Sequence, residues 1–437
     1  MGQILILLLA FLVGLSALRR PFHGISGYYL LSILGPQYIW WWIFGSQRFS
    51  LIIASFTMVG ISIQMLKKTY NLRVLFEKQN LWVLLLYLCV LSSYFFGAYV
   101  DAAGDLGRPA KVLSLYNVIF LFYFCSVLEL DLRKLKYLRA VLIVSVVYLV
   151  YWANVQYFSQ NWYQFDMGRL TGPRSITGGS IYADENVFSM IFVAGIPFVY
   201  YLGLEMKRVW FRFLLWSVIP LGMHAIFLTG SRGGLLGLGV SFVFISVIAK
   251  KKLVACLLLF FALSFYQMQA GDVMKERSET ISQFEGESSA ESRLTIWKAA
   301  AAMISDHPFA GVGAGSFITA VPGYVDAKPI VAHNTILHFA AESGVMAGVA
   351  YLMIIINFYC NFYKVYVQGR KEPTPEVENF NNASAASFTG LIVCSMFLSL
   401  NTYEVFFLLL VFNNVLSRGT QGGEHMGQST LTFRGQI

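Results

Sequence analysis

Three side chains stand where chemistry could be done. Arg232 lies in Gly230-Ser231-Arg232-Gly233-Gly234, where one apolar run ends and the next begins, and Arg293 and His333 lie in one long polar stretch, Gly271 to Leu337. A cation at a membrane boundary is costly to desolvate, so Arg232 calls for an anionic partner or a water-filled cavity. Glycines on both sides of it allow close backbone approach. An imidazole with an unperturbed pKa of about 6.5, just before the chain re-enters the membrane, is suited to take a proton from a substrate hydroxyl. The competing readings are a snorkelling or carboxylate-paired Arg232, an Arg293 on a solvated helix face and a purely structural His333. Asp184-Glu185 is an adjacent carboxylate pair that could bind a divalent ion, although charge complementarity at a helix start is the weightier reading.

The elements that must position these residues are helices in a membrane. Of 437 residues, 57% are hydrophobic against about 45–50% in an average soluble protein, only 13% are charged, and the mean hydropathy is +0.61. Apolar runs near the ~20 residues needed to cross a bilayer recur at 3–18, 25–44, 50–66, 81–99, 112–128, 140–158, 186–204, 213–229, 233–249, 253–269 and 338–360. A last run, 385–417, is interrupted by Asn401-Thr402-Tyr403-Glu404 and is either one long helix or two short ones. The fold class is therefore all-α and polytopic, with about twelve spans. The first run lacks a basic residue ahead of it, unlike a signal peptide, and is expected to be retained. The organisation reads as N-terminal helices 1–158, central helices 159–269 with an outer loop 159–185, a large polar loop 270–337, C-terminal helices 338–417 and a polar tail 418–437 that reads as disordered.

Basic clusters fix the sides. Arg19/Arg20, Lys67/Lys68/Arg73/Lys78, Arg133/Lys134/Lys136/Arg139, Lys207/Arg208/Arg212, Lys250/Lys251/Lys252 and Lys364/Arg370/Lys371 fall in alternate connections, as cytoplasmic loops should. The loop 159–185, the Arg232 turn and 271–337 then share the opposite face. The stretch 271–337 carries eight acids and five bases, a net −3 in a chain of +9, so the basicity is a cytoplasmic-loop effect and implies no nucleic-acid partner. Within it, Ser288 to Ile304 has apolar residues at helical spacing (Leu294, Ile296/Trp297, Ala300/Ala301, Ile304), Pro308 and Gly311 to Gly315 break the pattern, and His333 begins a second helical stretch.

Soluble-enzyme signatures are absent. Gly311 to Gly315 lacks the Lys-Ser/Thr of a phosphate loop and reads as a tight turn; there is no HExxH and no GxSxG elbow. Cys89, Cys125, Cys256, Cys360 and Cys394 lie in or beside apolar runs without metal-ligand spacing and read as packing residues. No metal and no cofactor is expected.

The segment Leu221 to Leu352, with GSRGG at 230–234, SRLTIWKAAAAMISDHPFAGVGAGSF at 292–317 and AHNTILHFAAESGVMAGVAYL at 332–352, resembles the O-antigen ligase/polymerase superfamily. The likeness covers about a third of the chain and extends loosely to GRLTGPRSITGGSIYADENVFS at 168–189; the opening LRRPFHG is similar to ligases of exosortase-associated O-glycosylation. It implies a glycosyltransferase C-type enzyme of the bacterial inner membrane, with one large periplasmic loop. Such an enzyme moves a glycan from undecaprenyl diphosphate to a hydroxyl: a lipid A-core sugar in ligases, a protein Ser/Thr or a glycan end in relatives. Partners would be that donor, that acceptor and membrane lipids. The resemblance carries the family's SRG arginine onto Arg232, the arginine of R-x-x-x-W onto Arg293 and the histidine of HN onto His333, with Arg174, Asn334 and Glu342 as further substrate-binding positions. DEN at 184–186 departs from the family's usual Asn-rich spelling.

That reaction suits these residue types. Guanidinium groups grip a diphosphate bidentately and stay charged at every relevant pH, and as the C1–O bond breaks they stabilise the growing negative charge. His333 would deprotonate the acceptor, and a single displacement would invert the anomeric centre. Two other classes stay open at this point: a lipid-glycan transporter, for which more charge within the spans and paired broken helices would be expected, and a non-enzymatic scaffold, which needs no Arg/His constellation.

Overall fold

In hydrocarbon every backbone polar group must be satisfied internally, and the chain meets that demand with helices. A computed structural model describes residues 2–40, 49–104, 107–175, 178–179, 181–249, 286–371, 374–399 and 401–422. Seven of the described helices are long and apolar enough to cross a membrane: Phe49–Leu66, Lys78–Phe96, Arg108–Glu129, Leu132–Phe158, Glu185–Glu205, Val209–Thr229 and Val345–Gln368. Leu7–Arg19 and Arg232–Ile248 are shorter apolar helices. The expected span 253–269 lies outside the described residues. Strand structure among the described residues is confined to two small antiparallel pairs in the 159–185 loop, Phe165–Asp166 with Arg169–Leu170 and Arg174–Ser175 with Gly178–Gly179.

The Glu185–Glu205 helix is the centre of the bundle, with 83% of its span buried. Small residues bring its neighbours close. Ser387 Oγ donates to Ala194 O at 2.6 Å, and a Cβ on Gly195 would stand 2.3 Å from Val146. The Arg139 guanidinium makes a bidentate pair with Glu205 at 2.9 Å, so the Leu132–Phe158 and Glu185–Glu205 helices run antiparallel. Their other ends, joined by the 159–185 loop, therefore share one end of the bundle. Ser93, in the last turn of Lys78–Phe96, donates to Glu342 O at 2.6 Å, and Tyr99 N donates to Val312 O at 2.8 Å, so that end also receives the 311–342 region.

Two expectations need correction, for the run 338–360 and for the start of the polar tail, and one left open, the run 385–417, resolves. The run 338–360 is two helices, Thr335–Ser343 and Val345–Lys371, broken at Gly344. Gly344 has φ +86°, and a Cβ there would fall 2.0 Å from Phe309 O, while Val345 N donates to Pro308 O at 2.9 Å. The docked 308–309 backbone thus makes the break. The run 385–417 resolves into two helices, Pro375–Ser395 and Glu404–Gly422. The second continues past Leu416, so Arg418 belongs to the bundle: its guanidinium donates to Val127 O at 2.9 Å.

The described part of the large polar loop carries its own small core. The Gly286–Asp306 helix buries Ile296, Ala299, Ala300 and Met303 against Val312, Phe317, Val321 and Ala332. This stripe lies one position over from the expected one, and Leu294 is 55% exposed. The i, i+3, i+4, i+7 set beginning at Ile296 is the one the partner segment covers. Gly311, Gly313 and Gly315 all have positive φ, and a Cβ on Gly311 would stand 2.3 Å from Glu342 O. The glycine run is thus a close backbone crossing over the end of the Thr335–Ser343 helix.

Candidate active site

Arg293 and Trp297 are one turn apart on the Gly286–Asp306 helix and so share a face. Trp297 Nε1 donates to Ala332 O at 2.8 Å, which fixes the carbonyl immediately before His333. His333 itself adopts φ +49°, a left-handed conformation that a non-glycine residue rarely takes. Asn334 then caps the Thr335–Ser343 helix, its side chain accepting from Leu337 N at 3.1 Å. The residues on either side of His333 are therefore fixed, Ala332 by the indole and Asn334 by the helix cap.

The ring is half-buried, and among the described residues its Nδ1 is buried without a hydrogen-bond partner. Burial pushes its pKa below the ordinary value, the Arg293 guanidinium pushes the same way, the Asp184 carboxylate pulls it up, and His338 pushes it down. Two groups far apart in sequence thus act on His333 directly. A depressed pKa keeps the imidazole neutral at neutral pH, with a nitrogen free to accept a proton.

Arg232 opens the Arg232–Ile248 helix. Gly230, at φ +63°, ends the preceding helix, and Ser231 caps the new one by accepting from Gly234 N at 3.1 Å. Arg232 is exposed, and among the described residues its guanidinium has no hydrogen-bond or ion-pair partner. The small residues after it pack on the Pro375–Ser395 helix: the Cys394 thiol donates to Gly233 O at 3.3 Å, and a Cβ on Gly237 would be 2.5 Å from Cys394 Sγ. From there the 396–399 turn runs to the histidine helix, where Thr335 Oγ1 donates to Leu398 O at 2.8 Å and His338 Nδ1 shares a hydrogen bond with Ser399 Oγ at 2.9 Å. The start of the Arg232 helix and the His333 loop thus flank one turn of chain.

Asp184 completes the neighbourhood. Its Oδ1 caps the Glu185–Glu205 helix, accepting from Asn186 N at 2.8 Å and Val187 N at 3.1 Å. One turn further, Ser189 packs against Gly234, whose Cβ would fall 2.4 Å from the Ser189 hydroxyl. Glu185 pairs with Arg169 at 2.7 Å. Both carboxylates therefore have helix-start and ion-pair partners, and among the described residues no cluster of three or more His, Cys, Asp or Glu side chains could hold a metal ion.

The other expected positions have structural partners. Arg174 donates through Nε to Tyr163 O at 3.1 Å and through Nη2 to Phe165 O at 3.3 Å, with its guanidinium 5.3 Å from the Tyr163 ring, so it ties the 159–175 loop together. Glu342 is 4% exposed; its Oε1 accepts from Phe317 N at 3.2 Å and lies 3.3 Å from His338 Nε2. It reaches the His333 environment only through His338. Asn334 has its side-chain oxygen in the helix cap. Residue type alone did not single out Trp297 or Arg169. The R-x-x-x-W spacing is a sequence signal for Trp297, whereas nothing in the sequence separates Arg169 from Arg174.

Residues 217–352 match a family described as O-antigen ligase, and residues 1–206 match a family of unknown function (DUF5935). Arg232, Arg293 and His333 all lie within the first match. No curated protein matches the chain.

Proposed function

We propose that this chain, which belongs to the O-antigen ligase/polymerase superfamily, is a membrane glycosyltransferase that moves a glycan from undecaprenyl diphosphate to an acceptor hydroxyl, a lipid A-core sugar in the ligase reading. The observation that carries it is the imidazole of His333, with Nδ1 unpartnered among the described residues, set against the Arg293 guanidinium and the Asp184 carboxylate within the segment that matches the family. Arg232 and Arg293 hold the diphosphate. Charge develops on it as the glycosidic bond breaks, and each preorganised donor lowers that barrier by about 3–4 kcal/mol. These guanidiniums supply the positive charge that a divalent ion supplies in other phosphate-transfer sites, so the reading is metal-independent. His333 removes the acceptor proton, a contribution of about 10²–10⁴ in rate. The oxygen attacks C1 from the face opposite the diphosphate, and the product is inverted.

The site end of the bundle faces the periplasm in this reading, because the basic clusters at 133–139 and 207–212 belong to the other end, where Arg139 meets Glu205. A total of about twelve spans and the glycosyltransferase C-type architecture belong to the same proposal. Polymerase and protein O-oligosaccharyltransferase activities share these residues and differ in the acceptor.

The test is transfer by the purified chain in nanodiscs from a lipid-linked glycan to lipid A-core, read as a product of raised mass. Arg232→Lys keeps the charge but loses the planar fork, and transfer is expected to drop by about 10²-fold; wild-type turnover by this variant would remove the diphosphate role. Activity should survive EDTA. Loss restored by Mg²⁺ or Mn²⁺ would hand the charge-neutralising role to Asp184 and Glu185. Movement of the glycan across proteoliposomes with no covalent product would replace the enzyme by a transporter.

A further inference from the structure

A second arginine of the outer loop sits closer to the GSRGG turn than the one the sequence points to. Phe165–Asp166 and Arg169–Leu170 form a tight hairpin, with Met167 at φ +45° and Gly168 at φ +72° in its turn. Two successive left-handed residues are the mark of a turn whose twist matches the strands, so the hairpin is a rigid mount. Leu170 is fully buried, and alternation along a strand sends Arg169 to the other face. The Arg169 side chain runs along Gly230, where a built Cβ would stand 3.4 Å from its Cγ and its Nε, two residues before Arg232. Nη1 bonds Glu185 Oε1 at 2.7 Å, and among the described residues this is the single hydrogen bond its guanidinium makes. Among the described residues most of the five N–H donors of the fork therefore have no protein partner.

From this placement, and resting on the diphosphate reading above, we infer that Arg169 is a third donor-binding guanidinium and that Glu185 is its resident counter-ion, displaced when the lipid diphosphate arrives. Among the described residues, Arg169 and Arg232 flank Gly230, and Glu185 is the carboxylate that pairs with one of them, which leaves a positive charge that an anion can compensate. The Arg169 and Glu185 side chains are 42% and 22% exposed. A pair this wet is weakly held and can be exchanged for a better anion. A pyrophosphate offers a fork more acceptor oxygens than one carboxylate does. Arg174, by contrast, has its guanidinium engaged by the Tyr163 and Phe165 carbonyls and acts on the site only by shaping the loop.

An ion pair that merely braces the hairpin and an arginine that binds substrate predict opposite behaviour for the two partners. Binding of glycan-free undecaprenyl diphosphate to the full chain in nanodiscs reads the difference without requiring turnover. Arg169→Gln is expected to weaken binding about tenfold, with Arg169→Lys intermediate, while Glu185→Gln binds as tightly as wild type or two- to threefold tighter. Inorganic pyrophosphate should compete for the wild-type site and compete about tenfold less well in Arg169→Gln, which assigns the contact to the headgroup. Equal binding by Arg169→Gln, equal competition by pyrophosphate, or a loss in Glu185→Gln that parallels the arginine variant, overturns the inference while leaving Arg232 and Arg293 in place. Wild-type protein that binds no lipid diphosphate overturns the parent reading and this one with it.

Discussion

His338 and His333 are five residues apart on one stretch of chain, and their surroundings treat them oppositely. Both ring nitrogens of His338 have partners, Ser399 Oγ at 2.9 Å and Glu342 Oε1 at 3.3 Å, and its ring stacks on Phe317 with centroids 5.0 Å apart. His333 has a left-handed backbone, a buried Nδ1 without a partner among the described residues, and a cation for a neighbour. The arginines differ too, although by exposure and not by burial: Arg174 is bonded to backbone carbonyls, and Arg232 is exposed with no protein partner among the described residues. Polar groups whose hydrogen-bonding capacity is used up hold the fold, whereas groups with capacity left over in a buried or crowded place are costly unless a ligand completes them.

The sharpest way to break that contrast is to truncate both histidines. His333→Ala should lose transfer by about 10²–10⁴-fold while its thermal unfolding in detergent stays at the wild-type temperature, because among the described residues the ring makes no hydrogen bond that would be lost. His338→Ala removes one of the two groups facing a carboxylate that is 4% exposed, and a stability loss of about 2–3 kcal/mol is expected. A His338→Ala protein of normal stability and abolished transfer would reverse the assignment of the two rings.

Next in size is Arg293. Arg293→Gln should reduce transfer about 10²–10³-fold, and it should also move the pH profile. The guanidinium helps hold the His333 pKa below its ordinary value, so its loss raises that pKa, more of the imidazole is protonated in mild acid, and the acid limb of the rate profile shifts to higher pH. Asp184 acts in the opposite sense, so Asp184→Asn should shift the limb to lower pH. Shifts of the same sign in both variants, or none, would mean that the limb reports a group other than His333.

The all-α membrane class was legible because composition and run length report directly on the solvent. The places of two candidate residues were legible as types: an arginine beside glycines at a helix start, and a histidine just before a helix. What could not be read locally was tertiary. The break at Gly344 is imposed by the Phe309 carbonyl, 35 residues upstream, and a lone glycine in an apolar run carries no trace of it. The buried stripe of the Gly286–Asp306 helix lies one position from the apolar pattern of the sequence because Leu294 is apolar yet faces outward at 55% exposure. Glu342, which the family resemblance adds as a substrate-binding position, has its carboxylate against the Phe317 amide and His338, partners that HFAAES by itself does not announce. Choosing between Arg169 and Arg174 needed the hairpin turn that aims one at Gly230 and folds the other onto Tyr163.

A smaller effect separates backbone strain from side-chain chemistry at the imidazole. The φ of +49° at His333 is one that glycine adopts freely and alanine does not. His333→Gly should therefore be more stable than His333→Ala by about 1 kcal/mol, with both equally inactive. Equal stability in denaturant titrations would show that the loop relaxes when the ring is gone and that the Trp297 clamp does not hold it.

That clamp is the last point at which the contrast can be tested, and the most delicate. The indole of Trp297 touches the site only through Ala332 O, so it is a positioning residue and not a catalytic one. Trp297→Phe keeps a flat apolar side chain on the helix face and removes one hydrogen bond, about 0.5–1.5 kcal/mol. Donor binding should be unchanged, since Arg293 still occupies the same helix, and KM should stay near wild type. The imidazole, freed at the residue before it, would sample orientations that do not face the acceptor, and kcat should fall by about threefold to tenfold, in line with that energy. A rise in KM at constant kcat would instead make Trp297 part of the binding surface and move the functional boundary one turn further along the helix than the two histidines place it.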